Sequence, residues 1–253
     1  MNPPNSNLRA FNLAVTTLLK NPSHMLPHLT IPTITQLPEH LGPAISAALA
    51  SSSNSSTTPT PTPTTTPSKP PPIHIRALIL DKDATLCAAQ TTTFPPAILA
   101  KLTALRTAPT SPFNQTAAPN AILIVSNRAG SHPRYDDEVR SLETQLAGLA
   151  IPVFRLPPGV AKKPFCGAAV LAWFRERGVV ARADEIAVVG DRLGTDVLMA
   201  REMGAWSVWC RDGIDPRGTR EGANVLERME RWVERYLRVN RGLKAPVPKG
   251  FAQ

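Results

Sequence analysis

Ile73-His-Ile-Arg-Ala-Leu-Ile-Leu-Asp-Lys-Asp-Ala-Thr-Leu-Cys87 is the stretch whose reading decides the fold. Ile73 to Leu80 is a short apolar run, rich in β-branched residues, and prolines stand just before it. Such a run predicts a strand buried on both faces in a parallel sheet. Asp81 and Asp83 fall where that strand ends, and Thr85 follows two residues later. In open α/β sheets ligands bind outside the carboxyl ends of the strands. A solvated Asp-rich turn is the competing reading of the same residues, and the chain downstream decides between the two.

From residue 73 onward, strand and helix patterns alternate. Strands are expected at 73–80, 121–125, 151–155, 185–189 and 206–210. Helices are expected at 95–106, with a proline at the start, and at 133–148, 164–177, 196–203 and 221–240. The last has Leu226, Met229, Val233, Tyr236 and Leu237 on one side, and its arginines read as a solvated face. This alternation predicts an α/β fold, a doubly wound parallel sheet with helices on both faces. Two further strands end in polar residues, Ser126-Asn127 and Gly190-Asp191, and Lys162-Lys163-Pro164 opens a helix. The strand ends share one edge of a parallel sheet, so all four groups can converge there. One acidic turn is easily explained away, but four polar outlets on one edge are not.

Upstream, residues 6–20 read as a helix with Leu8, Phe11, Val15, Leu18 and Leu19 on one face, Ser6 as a cap and Asn21-Pro22 as the stop. No acid precedes Glu39. This helix either packs on the domain or lies at a membrane interface, with some likeness to a mitochondrial presequence. Residues 22–43 interleave Pro22, Pro27, Pro32, Pro38 and Pro43 with Leu26, Leu29, Ile31, Ile34 and Leu37. That segment is extended and apolar and cannot be a regular helix; residues 44–50 have room for one or two helical turns. Residues 51–72 are almost wholly Ser, Thr and Pro and read as a disordered linker. The expected organisation is therefore a membrane-associating segment at 1–50, a linker at 51–72 and a catalytic domain at 73–253.

The formal charge of +9 favours anionic partners. No apolar run reaches the roughly 20 residues that span a bilayer, and the secretory-signal pattern is not visible. Cys87, Cys166 and Cys210 are odd in number and far apart, which suits reduced thiols. Neither the cysteines nor the five scattered histidines have zinc spacing.

The ordered set Asp81-x-Asp83-x-Thr85, Ser126-Asn127, Lys163-Pro164 and Gly190-Asp191-x-x-x-Thr195-Asp196 resembles the four motifs of the haloacid dehalogenase superfamily across about 73–210. The resemblance implies Asp81 as nucleophile, forming an aspartyl-phosphate, and Asp83 as the acid/base that marks a phosphatase. It implies Mg²⁺ on Asp81, the Asp83 carbonyl and Asp191, with phosphoryl oxygens held by Ser126 and Asn127. Lys163 would offset the negative charge, with Lys162 as the alternative, and Asp196 would orient Asp191 or the lysine. The intervals between motifs leave no room for a cap domain, so the site is expected to be open to a large substrate.

Outside these motifs, residues 21–38, Asp81-Lys82-Asp83, Ser126-Asn-x-Ala-Gly130 and Lys162-Lys-Pro-Phe165 resemble the fungal mitochondrial phosphatidylglycerophosphatase family. That likeness implies dephosphorylation of phosphatidylglycerophosphate to phosphatidylglycerol, a step toward cardiolipin. It implies a peripheral protein at the matrix side of the inner membrane, an anionic membrane surface as partner and no nucleic acid. Homo-oligomerisation is left open. The alternatives are a phosphatase for phosphoproteins or nucleic-acid ends on the same fold, and an inactive membrane scaffold.

Overall fold

The computed structural model describes residues 6–51, 71–214 and 225–251. The sheet has five strands, all parallel, in the order β1-β5-β4-β2-β3. β2 is Ala77–Leu80, and all four of its residues are buried. It pairs on one side with β3 (Ile122–Ile124) and on the other with β4 (Ile186–Gly190). β4 pairs with β5 (Trp206–Cys210), and β5 with β1 (Leu29–Ile31). The order of strands reverses about β2, and this is where open α/β sheets open a crevice.

Alternate residues of each strand face opposite layers, as the two-residue period requires. Leu78, Leu80, Ile122, Ile124 and Val189 pack beneath α2 (Leu41–Ser51), α3 (Pro96–Thr107) and α4 (Asp136–Leu146). Ala77, Ile79, Leu123 and Val188 pack beneath α5 (Gly167–Glu176) and α6 (Leu198–Met203). A third cluster around Leu193, Val197 and Trp209 closes that second face beneath α1 (Ser6–Lys20) and α7 (Val225–Arg235). The doubly wound arrangement is thus as expected.

The N-terminal segment departs from its expected separateness. Residues 22–51 share the sheet and core of the catalytic half: β1 is the outer strand beside β5, and Ile31, Ile34, Leu37, Leu41 and Ile45 belong to the core cluster. The prolines do prevent a long helix, but they leave room for two short 3₁₀ turns, Pro22–Met25 and Ile34–Gln36, around a three-residue strand. No boundary between cores falls at residue 50. The helix expected at 44–50 begins three residues earlier, at Leu41.

The strand expected at 151–155 reduces to one bridge, Ile124 to Val153. Pro152 supplies a carbonyl to Ile124 N–H at 3.0 Å but has no N–H to give, so the ladder does not extend. The strand expected from Ile73 begins only at Ala77. Ser6 as a cap, residues 52–70 of the Ser/Thr/Pro tract and 221–224 of the last helix lie outside what the structure describes.

Arg106 fixes the loop that delivers β3. Its side chain is fully buried and donates to the carbonyls of Phe113, Ala118, Pro119, Leu149 and Ala150, at 2.7–3.3 Å. Those bonds offset the cost of burying the cation and hold the approach to Ser126.

Candidate active site

Asp81 follows β2 directly, and its N–H donates to the Val189 carbonyl at 2.9 Å, so the ladder holds the residue after the strand in register. Lys163 comes from the start of the chain leading into α5. Its ammonium donates to Asp81 Oδ1 and, at 2.7 Å, to Asp196 Oδ1. The Lys163 N–H donates to Asn127 Oδ1 at 2.9 Å, which ties the end of β3 to the lysine. Ser126 is buried beside it, and its hydroxyl accepts Arg128 N–H at 3.2 Å. Asp191 follows β4. Gly190 precedes it because a Cβ there would meet Asp196 Cγ at 2.3 Å. The Asp196 carboxylate therefore lies against bare backbone, its Oδ2 accepting Arg192 N–H at 3.2 Å.

The structure thus brings together Asp81, Ser126, Asn127, Lys163, Asp191 and Asp196. It separates Lys162 from Lys163: it is the Lys163 ammonium that stands between the two carboxylates. Thr85 is fully buried with a hydroxyl that has no hydrogen-bond partner. Asp83 turns aside; its Oδ1 accepts the Gln90 N–H at 2.8 Å and lies 3.0 Å from Lys82 Nζ.

Three carboxylates, Asp81, Asp191 and Asp196, offer oxygens within 4.8 Å of one another, facing one ammonium. Burial raises the Asp81 carboxyl to about 6, against the opposing pull of Lys163. Burial, with Asp81 and Asp196 adding repulsion, raises Asp191 well above the ordinary carboxylate range. Burial alone would lower Lys163, but Asp196 and Asp81 outweigh it and raise it. The pocket is short of positive charge, and Asp191 Oδ1 is buried without a hydrogen-bond partner. An all-oxygen donor set of this kind fits a hard divalent cation such as Mg²⁺. Asp191 and the second oxygen of Asp81 are left to hold it, because both oxygens of Asp196 are engaged, one by Lys163 and one by the Arg192 N–H, while Lys163 takes only Oδ1 of Asp81.

Alongside lies a network the sequence reading did not anticipate. Lys82, between the two motif aspartates, is fully buried. It donates to the Thr91 carbonyl at 2.9 Å and to Glu138 Oε1. Glu138 Oε2 accepts from Arg128 at 2.9 Å, and the Arg128 guanidinium lies 5.0 Å from the Tyr135 ring. Asp83, Lys82, Glu138 and Arg128 are therefore one chain of charges. Glu138 sits after two other acids in the first turn of α4, where acids are ordinary helix-dipole partners, so nothing local marked it.

The chain matches the mitochondrial PGP phosphatase family over residues 8–215. It is 32% identical over 222 residues to "Phosphatidylglycerophosphatase GEP4, mitochondrial" of Saccharomyces cerevisiae, covering 87% of this chain and 93% of that protein.

The chain belongs to the mitochondrial PGP phosphatase family.

A second member, "Probable phosphatidylglycerophosphatase, mitochondrial" of Schizosaccharomyces pombe, is 26% identical over 223 residues, 88% of each chain. A crystal structure from Mesorhizobium loti, described as a candidate HAD-like phosphatase, shares 17% identity at a TM-score of 0.37, covering 55% of this chain and 73% of that one. As a member of this family the chain is a phosphatase, and its relatives carry mitochondrial names. Family membership spans α1 and β1 as well as the catalytic motifs, in keeping with their shared core. Among the described residues no helix of this phosphatase is long and apolar enough to cross a membrane.

Proposed function

We propose that this phosphatase removes the terminal phosphate of phosphatidylglycerophosphate, leaving phosphatidylglycerol for cardiolipin synthesis, at the matrix face of the mitochondrial inner membrane. The observation that carries the reading is the buried group of Asp81, Lys163 and Asp196 beside the unpartnered oxygen of Asp191. The names of its relatives supply the substrate.

In this reading an Asp81 oxygen attacks phosphorus, and the bond from phosphorus to the glycerol oxygen breaks. Asp83, once its carboxyl swings from the Gln90 N–H and Lys82 toward the site, gives that oxygen its proton, then takes one from the water that cleaves the aspartyl-phosphate and frees inorganic phosphate. Lys163 holds Asp81 in place and offsets charge on the transferring group, while Asp196 positions Lys163. Ser126 and the backbone at Asn127 bind phosphoryl oxygens. Mg²⁺, held by Asp81 and Asp191 with the Asp83 carbonyl, would supply further charge neutralisation.

The intervals 84–125 and 128–162 contain only α3, β3, α4, short turns and loops, so among the described residues no cap domain is inserted between the motifs. An open site suits a headgroup presented at a membrane surface, an anionic one given the +9 charge.

The test is phosphate release by purified protein from phosphatidylglycerophosphate, a phosphopeptide and a 3′-phosphorylated oligonucleotide, with and without Mg²⁺. Lipid turnover should dominate and require the metal. Asp81→Asn should lower it by many powers of ten while the protein stays folded. Activity within tenfold of wild type would remove Asp81 as nucleophile, and faster turnover of the peptide or oligonucleotide would sink the lipid assignment.

A further inference from the structure

Next to the phosphoryl site is an apolar cleft of about 510 Å³ between α1 and α7. Its inner end is formed by Asn127 and Lys163, the residues already placed around the reacting phosphate. Its outer walls include Phe11 and Val15 of α1 and Met229 of α7. Arg192, from the turn after β4, and Glu230, from α7, also line it.

Exposure grades the cleft from inside to outside. Lys163 and Glu230 are 4% and 6% exposed, whereas Val15, Met229 and Phe11 are 39%, 48% and 59% exposed. Arg192 Nε lies 3.5 Å from Glu230 Oε2, too far for a good hydrogen bond, and both atoms are buried without a hydrogen-bond partner. The other Glu230 oxygen accepts the Gly194 N–H at 3.0 Å, which holds the carboxylate in position. An incompletely satisfied buried pair of this kind is costly to leave as it is. Beyond the mouth, α7 continues with Trp232, 64% exposed and stacked on Tyr236. Aromatics of that kind settle at membrane–water interfaces.

We propose that this cleft seats the non-reacting part of the lipid substrate, with Arg192 and Glu230 binding the polar spacer between the terminal phosphate and the acyl chains. The inference rests on the function proposed above. Such a lipid is ordered in the same way as the cleft: a phosphomonoester, then a glycerol with a hydroxyl and a phosphodiester anion, then acyl chains. Glu230 Oε2 can accept from the hydroxyl, Arg192 can donate to the phosphodiester, and the Phe11, Val15 and Met229 side chains meet the first methylenes. The rest of each chain stays in the bilayer, because every CH₂ lifted out of it adds to the cost.

The experiment compares kcat/KM on three substrates: long-chain phosphatidylglycerophosphate in vesicles, a short-chain form below its micellar concentration, and a small aryl phosphate. Phe11→Ser with Met229→Ser should lower the ratio of long-chain to aryl turnover at least tenfold, from lost apolar contact. Arg192→Gln should raise KM for the short-chain lipid relative to the aryl phosphate about tenfold or more, from one lost charged hydrogen bond. Thermal melting of each variant establishes that it is folded before the ratios are compared. Ratios within twofold of wild type in both folded variants would overturn the proposal. So would a double variant that dissociates an oligomer while its ratio holds, since the cleft would then belong to a second copy. A wild type that hydrolyses the aryl phosphate but neither lipid would instead overturn the function on which the proposal rests.

Discussion

Residues 6–20 and residues 29–45 are similar in sequence: apolar, poor in acids and close together in the chain. One becomes α1, which buries only the side holding Thr17, with Leu13, Ala14 and Leu18 part-buried against the core. The stripe of Leu8, Phe11, Val15 and Leu19 stays on the outside, with Leu19 78% exposed. The other becomes β1 and its flanking turns and helix, with Ile34 and Ile45 wholly buried. The difference lies in backbone hydrogen bonding. A helix satisfies its own N–H and C=O groups and can be docked by one face alone. An extended segment interrupted by prolines must find a partner strand, and β5 supplies it. Apolar content alone therefore does not mark a membrane segment.

The sharpest way to break this comparison is truncation. Deleting residues 1–40 removes β1 and several core side chains, so the product should be insoluble or unfolded and inactive on every substrate. A folded truncation, by circular dichroism and an aryl phosphate assay, would return the segment to the role of a separate attachment. Next in size is a pair of single changes. Ile34→Ala should cost about 2–5 kcal/mol in chemical denaturation, whereas Leu19→Ala should stay within about 0.5 kcal/mol. Comparable losses would mean that α1 is packed more fully than its exposure indicates.

A finer test uses His28, which leads into β1. Its Nε2 donates to the Pro246 carbonyl at 3.0 Å, so Nδ1 is the acceptor for the Ser207 N–H at 3.0 Å and the Ser207 hydroxyl at 2.8 Å. Burial, with Arg201 and Arg238 nearby, lowers the imidazole from 6.5 to about 4, against the opposing hydrogen bond to Pro246. Below pH 6.5 the unfolded chain takes up this proton and the folded one does not. Stability should fall as pH drops from 6.5 toward 4, by at most about 3 kcal/mol at 1.36 kcal/mol per pH unit. His28→Asn keeps an acceptor near Nδ1 but cannot ionise, so it should flatten that part of the pH profile. An unchanged slope would detach His28 from the β1–β5 junction.

Much of the architecture was legible because each main strand is an apolar run that ends in a polar residue. Ala77–Leu80, Ile122–Ile124 and Ile186–Gly190 all follow that rule, and the residues after them reach the site. β1 was not legible: three residues between prolines carry too little pattern, and their partner lies nearly 180 residues away. Asp81, Lys163, Asp191 and Asp196 could be found as an ordered set. Glu138, Arg192 and Glu230 could not, because each looks like a surface charge until the fold brings its counterpart across. Asp83 was found, but its side-chain direction depends on Lys82 and Gln90 and cannot be read from spacing.

The position of β1 also fixes an order of events. Among the described strands it comes first in the chain, and the strand it pairs with there, β5, comes last. Until Cys210 is available, residues 29–31 have no ladder to join, while β2, β3 and β4 can already associate. This closure joins distant parts of the chain, and such contacts slow folding more than they weaken the finished fold. The proline-rich segment must wait, apolar and unpaired, until most of the sheet has been synthesised. A chaperone that holds the N-terminal end of the nascent chain would therefore protect the part of this protein that is exposed the longest.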